Sequence, residues 1–282
     1  MRTVWPAPAK LNLLLHVVGR RADGYHLLQT VFQFLDYCDD LVFRITEDGG
    51  IRRDRALPGI DTDSDLTLRA ARLLQTTAGC RQGVEIALTK RISLGAGLGG
   101  GSSDAATTLL ALNELWEVGL SIDALADLGL KLGSDVPLFV RGRAAFAEGV
   151  GERLTPVDLP ELWYIVAIPP VHVATAEVYA AYARQRGLTP YTPTLTIRDL
   201  RAAEGRNDLE VIARARHAEV DRALRWLSGY GRARMSGSGG AVFLDVPHAE
   251  AGRAILASLP NGYTGFVACG INRHPLLREA RE

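Results

Sequence analysis

Gly95-Ala96-Gly97-Leu98-Gly99-Gly100-Gly101-Ser102-Ser103-Asp104-Ala105-Ala106 is the stretch on which the reading of this chain turns. Five of the seven residues from Gly95 to Gly101 are glycine, so few Cβ atoms stand in the way of a tight bend that turns several N–H groups toward one point. Two hydroxyls and an acid then open a helix predicted from Asp104 to about Glu117, with positive partial charge at its N-terminus. A glycine-rich loop entering a helix N-terminus is a cradle for phosphate, which makes a nucleotide the first ligand to consider. A flexible linker would not run straight into the amphipathic set Ala105, Ala106, Leu109, Leu110, Leu112, Leu115 and Trp116.

Other phosphate-binding patterns fit poorly. Gly95, Gly97 and Gly100 satisfy the dinucleotide fingerprint, but the strand expected at Val84–Thr89 stops well short of Gly95, and Asp123 follows Ser121 at a helix start instead of closing a second strand. No Walker sequence is present, nor the strand-borne lysine and catalytic-loop set of a protein kinase.

The 282 residues suffice for a sizeable core and two lobes. Lys+Arg and Asp+Glu balance at 32 each, which argues against a protein that coats nucleic acid. Cys38, Cys80 and Cys269 are scattered and form neither a disulfide framework nor a metal knuckle, which suits a reducing compartment. With no apolar run of membrane-spanning length and no apolar signal at the N-terminus, a cytoplasmic protein is expected.

Working outward from the loop, the patterning predicts strands at Leu11–Val18, Leu27–Leu35, Leu41–Ile45 and Val84–Thr89. Asp61–Asp65 caps a helix that Gly79 stops, and Ser121 and Asp123 cap another that ends at Gly133. Ser134-Asp135-Val136-Pro137 reads as a loop because residues before proline avoid helical geometry, and Leu138–Ala147 reads as a strand. A boundary falls near Gly149–Pro160. Beyond it come a strand at Leu162–Ile168, a helix at Thr175–Arg186, a Pro/Thr-rich connector at 187–195 and one helix over Asn207–Leu227. Strands flank the tight loop Gly237–Gly240, and a helix at Ala249–Ser258 precedes a last strand at Thr264–Gly270. This is an α+β chain whose second half packs helices on one side of an antiparallel sheet.

Three further islands have functional composition. Lys10 opens an apolar strand, where it reads as an edge-strand guard or as a buried functional cation. Asp135 is a turn former or an acid held in a loop, and Gly237-Ser238-Gly239-Gly240 is a hairpin turn or a second anion nest.

Taken together, Pro8-Ala9-Lys10-Leu11-Asn12, the glycine loop and Arg234-Met235-Ser236-Gly237-Ser238-Gly239 resemble the three motifs of the GHMP small-molecule kinases, in order and over nearly the whole chain. Arg21-Ala22-Asp23-Gly24-Tyr25-His26, Gly133–Pro137 and Ala145–Glu152 resemble the branch whose alcohol substrate carries a 4-diphosphocytidyl group, in the non-mevalonate route to isoprenoids. The resemblance implies a two-lobed GHMP kinase fold. Residues 1–155 would form an N-terminal lobe like a ribosomal-protein domain, and 156–282 a ferredoxin-like α/β sandwich.

It also implies an ATP-dependent phosphotransferase with Mg²⁺, acting on a small molecule as a monomer or weak homodimer, with no nucleic-acid or membrane partner. Asp135 matches the family's catalytic base and Lys10 its catalytic lysine. Ser93, Leu94, Gly95, Ala96, Gly97, Leu98, Gly99, Gly100, Gly101, Ser102 and Ser103 fall on the nucleotide side, with Asp65 where relatives carry an adenine-contacting asparagine. Asn12, Tyr25, His26, Tyr179 and Gly239 fall on the substrate side, with Tyr182 as the alternative to Tyr179 for the second aromatic. Ala96 stands where some relatives carry glycine and adds a methyl where the backbone approaches phosphate. No acidic partner for Mg²⁺ emerges from the spacing, so phosphates and water are expected to hold it.

Overall fold

The computed structural model describes residues 3–186 and 205–278, so the connector expected at 187–195 lies outside the described residues. The chain opens with two long antiparallel strands, β1 (Trp5–Arg20) and β2 (His26–Thr46), followed by β3 (Ile51–Arg53). Next come α1 (Leu66–Ala78), β4 (Gly83–Thr89), α2 (Gly100–Leu115), α3 (Ile122–Leu130) and α4 (Val136–Arg141), then the hairpin β5 (Ala145–Glu148) and β6 (Arg153–Pro156). The second half runs β7 (Trp163–Ile168), α5 (Thr175–Arg186), α6 (Glu210–Arg216), α7 (Ala218–Ser228), β8 (Arg234–Met235), β9 (Val242–Val246), α8 (Ala249–Leu256), β10 (Thr264–Ile271) and α9 (Pro275–Arg278).

β2 is the hub of the first half. It pairs with β1 along one side and with β4, β5 and the end of β10 elsewhere, so the two strands expected at Leu27–Leu35 and Leu41–Ile45 are one. Pro6 and Pro8 are tolerated in β1 because the edge away from β2 is met by loops: the Lys10 N–H donates to Leu98 C=O, and the Leu15 N–H to Arg206 C=O. The β1–β2 register slips between Pro8 and Lys10 and again between Asn12 and Leu14. Such irregularities re-aim side chains, and these two bracket Lys10 and Asn12.

Helices α1 to α4 cover this sheet over an apolar core that includes Phe34, Leu74, Leu109 and Phe139. Each such side chain, fully withdrawn from water, contributes about 1.5–3 kcal/mol. The helix α1 begins as expected. The Asp65 carboxylate accepts the N–H groups of Thr67 and Leu68, a cap worth about 1 kcal/mol.

Three elements depart from the pattern reading. The segment read as loop and strand, Ser134 to Ala147, contains α4, because Pro137 occupies the first helical turn, where its missing N–H costs nothing. Its apolar run Leu138-Phe139-Val140 is buried on all sides, which period-2 and period-3.6 patterns cannot separate. The helix read across Asn207–Leu227 is two, α6 and α7, broken where His217 adopts an extended backbone. And α2 starts at Gly100, four residues before Asp104, so Ser102, Ser103 and Asp104 lie inside its first turns and do not cap it.

In the second half, β8, β9, β7 and β10 form an antiparallel array. Alternate residues split its two faces. Ile165, Val242 and Leu244 pack with helical Ile212, Val220 and Leu224. Tyr164, Phe243 and Ala268 pack with Leu11, Leu35, Ile92 and Leu98 of the first half. β10 pairs with both β7 and β2, which joins the halves into one sheet.

Candidate active site

The glycine loop ends β4's connection to α2 with Gly95, Gly97 and Gly99 all at positive φ (67°, 76° and 73°), a conformation that side chains with Cβ resist. Ala96 sits between two of these at an ordinary negative φ, with its methyl buried in the inter-half core, so it does not intrude on the cradle. Gly100, Gly101 and Ser102 supply the first helical amides of α2, which have no carbonyl one turn back to bond. Ser103 is different: its N–H donates to Gly99 C=O, and its hydroxyl is buried away from solvent. It therefore belongs to the helix interior, not to the cradle surface.

The loop is a wall between two cavities. One, of about 370 Å³, lies between the loop (including Ser93, Leu94 and Gly101) and the start of α1. The other, of about 790 Å³, lies between β1, the β1–β2 turn, α5 and the Gly237–Ser238 loop. Gly97, Gly99 and Ser102 line both.

Lys10 and Asp135 meet in the larger cavity beside this wall. Lys10 Nζ donates to Asn12 Oδ1 at 2.5 Å and lies 3.4 Å from Asp135 Oδ2. Its side chain is 4 % exposed and that of Asp135 29 %, so the ammonium is enclosed while the carboxylate remains open to a ligand. The ammonium also sits 5.1 Å from the Phe32 ring centroid. Lys10 is thus no edge-strand guard. Asn12 is fixed in turn, its Nδ2 donating to Thr30 Oγ1 at 2.8 Å.

The third motif locks onto the first two. Ser236 Oγ accepts the Asn12 N–H at 3.2 Å and donates to Gly97 C=O at 3.0 Å. The Ala241 N–H donates to Ala96 C=O, and Asn207 Nδ2 donates to the carbonyls of Met235 and Gly237. Gly237 and Ser238 line the larger cavity. Gly239, expected on the substrate side, is turned the other way: a Cβ there would meet Met235, Val173 and Ala213, and it does not line the cavity as Gly237 and Ser238 do.

Also lining the larger cavity, His26 and Tyr179 stack with ring centroids 5.0 Å apart and 27° between planes. Burial, with the charge of Arg20 adding to it, lowers the His26 pKa and keeps the ring neutral near pH 7. Burial and then the nearby Asp135 carboxylate raise the Tyr179 phenol well above its usual value. Tyr25 stands exposed at the rim; of the two candidate tyrosines, Tyr179 lines the cavity and Tyr182 is buried in the second-half core.

Asp65 borders the smaller cavity, but its carboxylate is committed. It caps α1 and accepts two hydrogen bonds from the Arg53 guanidinium, through Nε and Nη2. A donor on adenine would have to compete with both.

A buried charged cluster that no motif signals lies beneath the loop. Lys90 Nζ donates to Asp39 Oδ2 at 2.5 Å and to Asp104 Oδ2 at 2.7 Å, while Asp39 Oδ1 accepts the N–H groups of Arg91 and Ile92. Burial pushes the Asp104 carboxyl up to about 7. The cluster ties the strand that leads into the loop to the helix that leaves it, and a Cβ on Gly100 would lie 2.9 Å from Lys90 Nζ.

The GHMP kinases N terminal domain family matches residues 65–143, and the GHMP kinases C terminal family matches 195–264. Together with the fold, these make the chain a GHMP kinase, a small-molecule phosphotransferase. A 4-diphosphocytidyl-2-C-methyl-D-erythritol kinase of Thiobacillus denitrificans is 54% identical over 276 residues, covering 98% of each chain. That of Nitrosococcus oceani is 53% identical over 274 residues, covering 97% of this chain and 96% of its own. A crystal structure of a 4-(cytidine 5'-diphospho)-2C-methyl-D-erythritol kinase superposes with a TM-score of 0.81 at 37% identity, over 95% of this chain and 99% of that one. Methanococcus jannaschii mevalonate kinase shares the fold, with a TM-score of 0.68 at 16% identity over 96% of this chain and 99% of its own. The chain belongs to the 4-diphosphocytidyl-2-C-methyl-D-erythritol kinase family. Among its described residues no helix is long and apolar enough to cross a membrane.

Proposed function

We propose that this chain transfers the γ-phosphoryl group of ATP to the 2-hydroxyl of 4-diphosphocytidyl-2-C-methyl-D-erythritol, a step in the non-mevalonate route to isoprenoid precursors. One observation carries the reading: two cavities share the wall Gly97, Gly99 and Ser102, and Lys10 and Asp135 sit together on the acceptor side of it. The smaller cavity takes the adenosine of ATP, with the phosphates over the loop amides and the α2 N-terminus. The larger takes the acceptor alcohol, with its base toward His26, Tyr179 and the rim residue Tyr25.

Asp135 is the general base. Its carboxylate accepts the hydroxyl proton as the oxygen attacks the γ-phosphorus, and the bond to the β–γ bridging oxygen breaks to release ADP. Lys10 holds the Asp135 carboxylate in orientation and offsets charge building on the reacting oxygens. Asn12 holds the Lys10 ammonium in place. The site suits a Mg²⁺ carried by the phosphates. Among the described residues no group of three or more His, Cys, Asp or Glu side chains is placed to hold a metal, and Ser102 and Asp135 are two of the oxygen-bearing side chains that line the larger cavity. When bound, such an ion would neutralise phosphate charge. We place the division between the lobes at residues 155/156, at the end of β6.

A coupled ADP-release assay with several alcohols tests the proposal. Turnover is expected with the diphosphocytidyl substrate and not with mevalonate or homoserine at equal concentration. Equal turnover of an acceptor lacking the cytidine group would overturn it.

A further inference from the structure

We propose that Arg20 is the diphosphate anchor of the acceptor pocket, pairing through its guanidinium with the phosphates of a nucleoside diphosphate group. The inference rests on the substrate reading above and names a residue that neither the motifs nor the family match singled out.

Three observations place the guanidinium. Arg20 is the last residue of β1 and lies opposite His26 in the β1–β2 register, so the two side chains are cross-strand neighbours. Arg20 Nε donates to Gly24 C=O at 3.1 Å, which anchors the group across the turn and leaves its Nη donors for another partner. And Arg20 lines the same cavity as His26 and Tyr179.

The charges in that cavity make Arg20 the free one. Lys10 is held by Asp135 and Asn12. Asp23 is paired with Arg21 at 2.7 Å. His26 is neutral, and Arg20 is one reason. Among the described residues, no carboxylate lies within ion-pair distance of Arg20. An arginine with Nε fixed and both Nη groups available presents a planar fork that matches phosphate oxygens, whereas a structural arginine at a turn would normally be paired with an acid, as Arg21 is. A diphosphate bound between the aromatic wall and Lys10 needs a cation on its path, and Arg20 is placed to supply it.

Isothermal titration of the full chain with CDP and with cytidine separates the possibilities. The wild-type protein is expected to bind CDP more tightly than cytidine by roughly 10- to 100-fold, the range for charge-assisted hydrogen bonds. In Arg20→Gln most of that gap closes while cytidine affinity stays the same, and Arg20→Lys restores part of it. With the full substrate, KM rises in Arg20→Gln and kcat at saturation does not change. A CDP–cytidine gap that survives Arg20→Gln overturns the assignment and leaves the substrate reading standing. Equal loss of both affinities also overturns it, by showing a brace for the turn and not an anchor. Failure of the wild-type chain to bind either ligand overturns the inference together with the substrate reading.

Discussion

Asp135→Asn is expected to lower kcat by roughly 10²- to 10⁴-fold, the usual worth of a positioned general base. The amide is nearly isosteric and offers Lys10 an oxygen in the same place, but it cannot accept the hydroxyl proton. Lys10 keeps its hydrogen bond to Asn12, and the Asp135 side chain is partly open to solvent, so the fold should survive the change. The proposed ATP site, the loop amides and the smaller cavity, does not include this carboxylate, so ATP affinity should change little. Single-turnover kinetics with ATP binding measured in parallel checks both halves. Near-normal turnover would mean that another base, or none, operates.

The second large effect is expected at Gly97. Its φ is +76°, and a Cβ there would lie 2.5 Å from Ser236 C=O and 3.0 Å from Gly239 C=O. Both neighbours are backbone, so neither can swing aside. Alanine in the left-handed region costs about 1–2 kcal/mol before any clash is counted. The loop would relieve both strains by pulling away from the third motif, carrying the phosphate cradle with it and breaking the Ser236–Gly97 bond. Displacement of reacting groups by about 1 Å can cost 10²-fold in rate, and a loss of that order in kcat/KM for ATP is expected for Gly97→Ala. Gly101→Ala is the control. It has no positive φ, and the nearest atom to its Cβ would be Leu66 Cδ1 at 3.5 Å. Similar kinetics for the two variants would show that the loop does not depend on this contact.

The parts of the site legible in the sequence were those where residue type alone restricts geometry. A run of alternating glycines has few uses other than close backbone approach, and Gly95, Gly97 and Gly99 do turn at positive φ there. Lys10 in an apolar strand and Asp135 beside a proline were ambiguous separately and acquired meaning only through the family resemblance, because their meeting is a property of the β1–β2 pair and of α4, not of spacing. What stayed hidden depends on direction and partnership. Gly239 and Ser103 carry the right composition, but turn and helix geometry points them inward. Lys90, just past β4, gains its partners only because the fold brings Asp39 and Asp104 to it from β2 and α2. Buried His274 gave no signal at all, yet burial lowers its pKa to about 3, and it packs edge-on to Phe34 in the core. The misread elements have different causes. Residues before a proline avoid helical geometry, yet Pro137 is accepted in the first turn of α4, and the buried run Leu138–Val140 carries no period that separates helix from strand. The apolar periodicity across Asn207–Leu227 does not register the break at His217.

In the proposed reaction Asp135, held by Lys10, takes the proton of an alcohol facing a phosphate on the other side of the glycine wall. A crystal structure of the full chain with a non-hydrolysable ATP analogue and 4-diphosphocytidyl-2-C-methyl-D-erythritol would reveal this arrangement. The acceptor hydroxyl is expected within about 2.6–3.2 Å of the Asp135 carboxylate and in line with a γ-phosphate seated over Gly97–Ser102. A γ-phosphate bound away from that loop, or an acceptor hydroxyl out of reach of Asp135 with a different base beside it, would refute the mechanism.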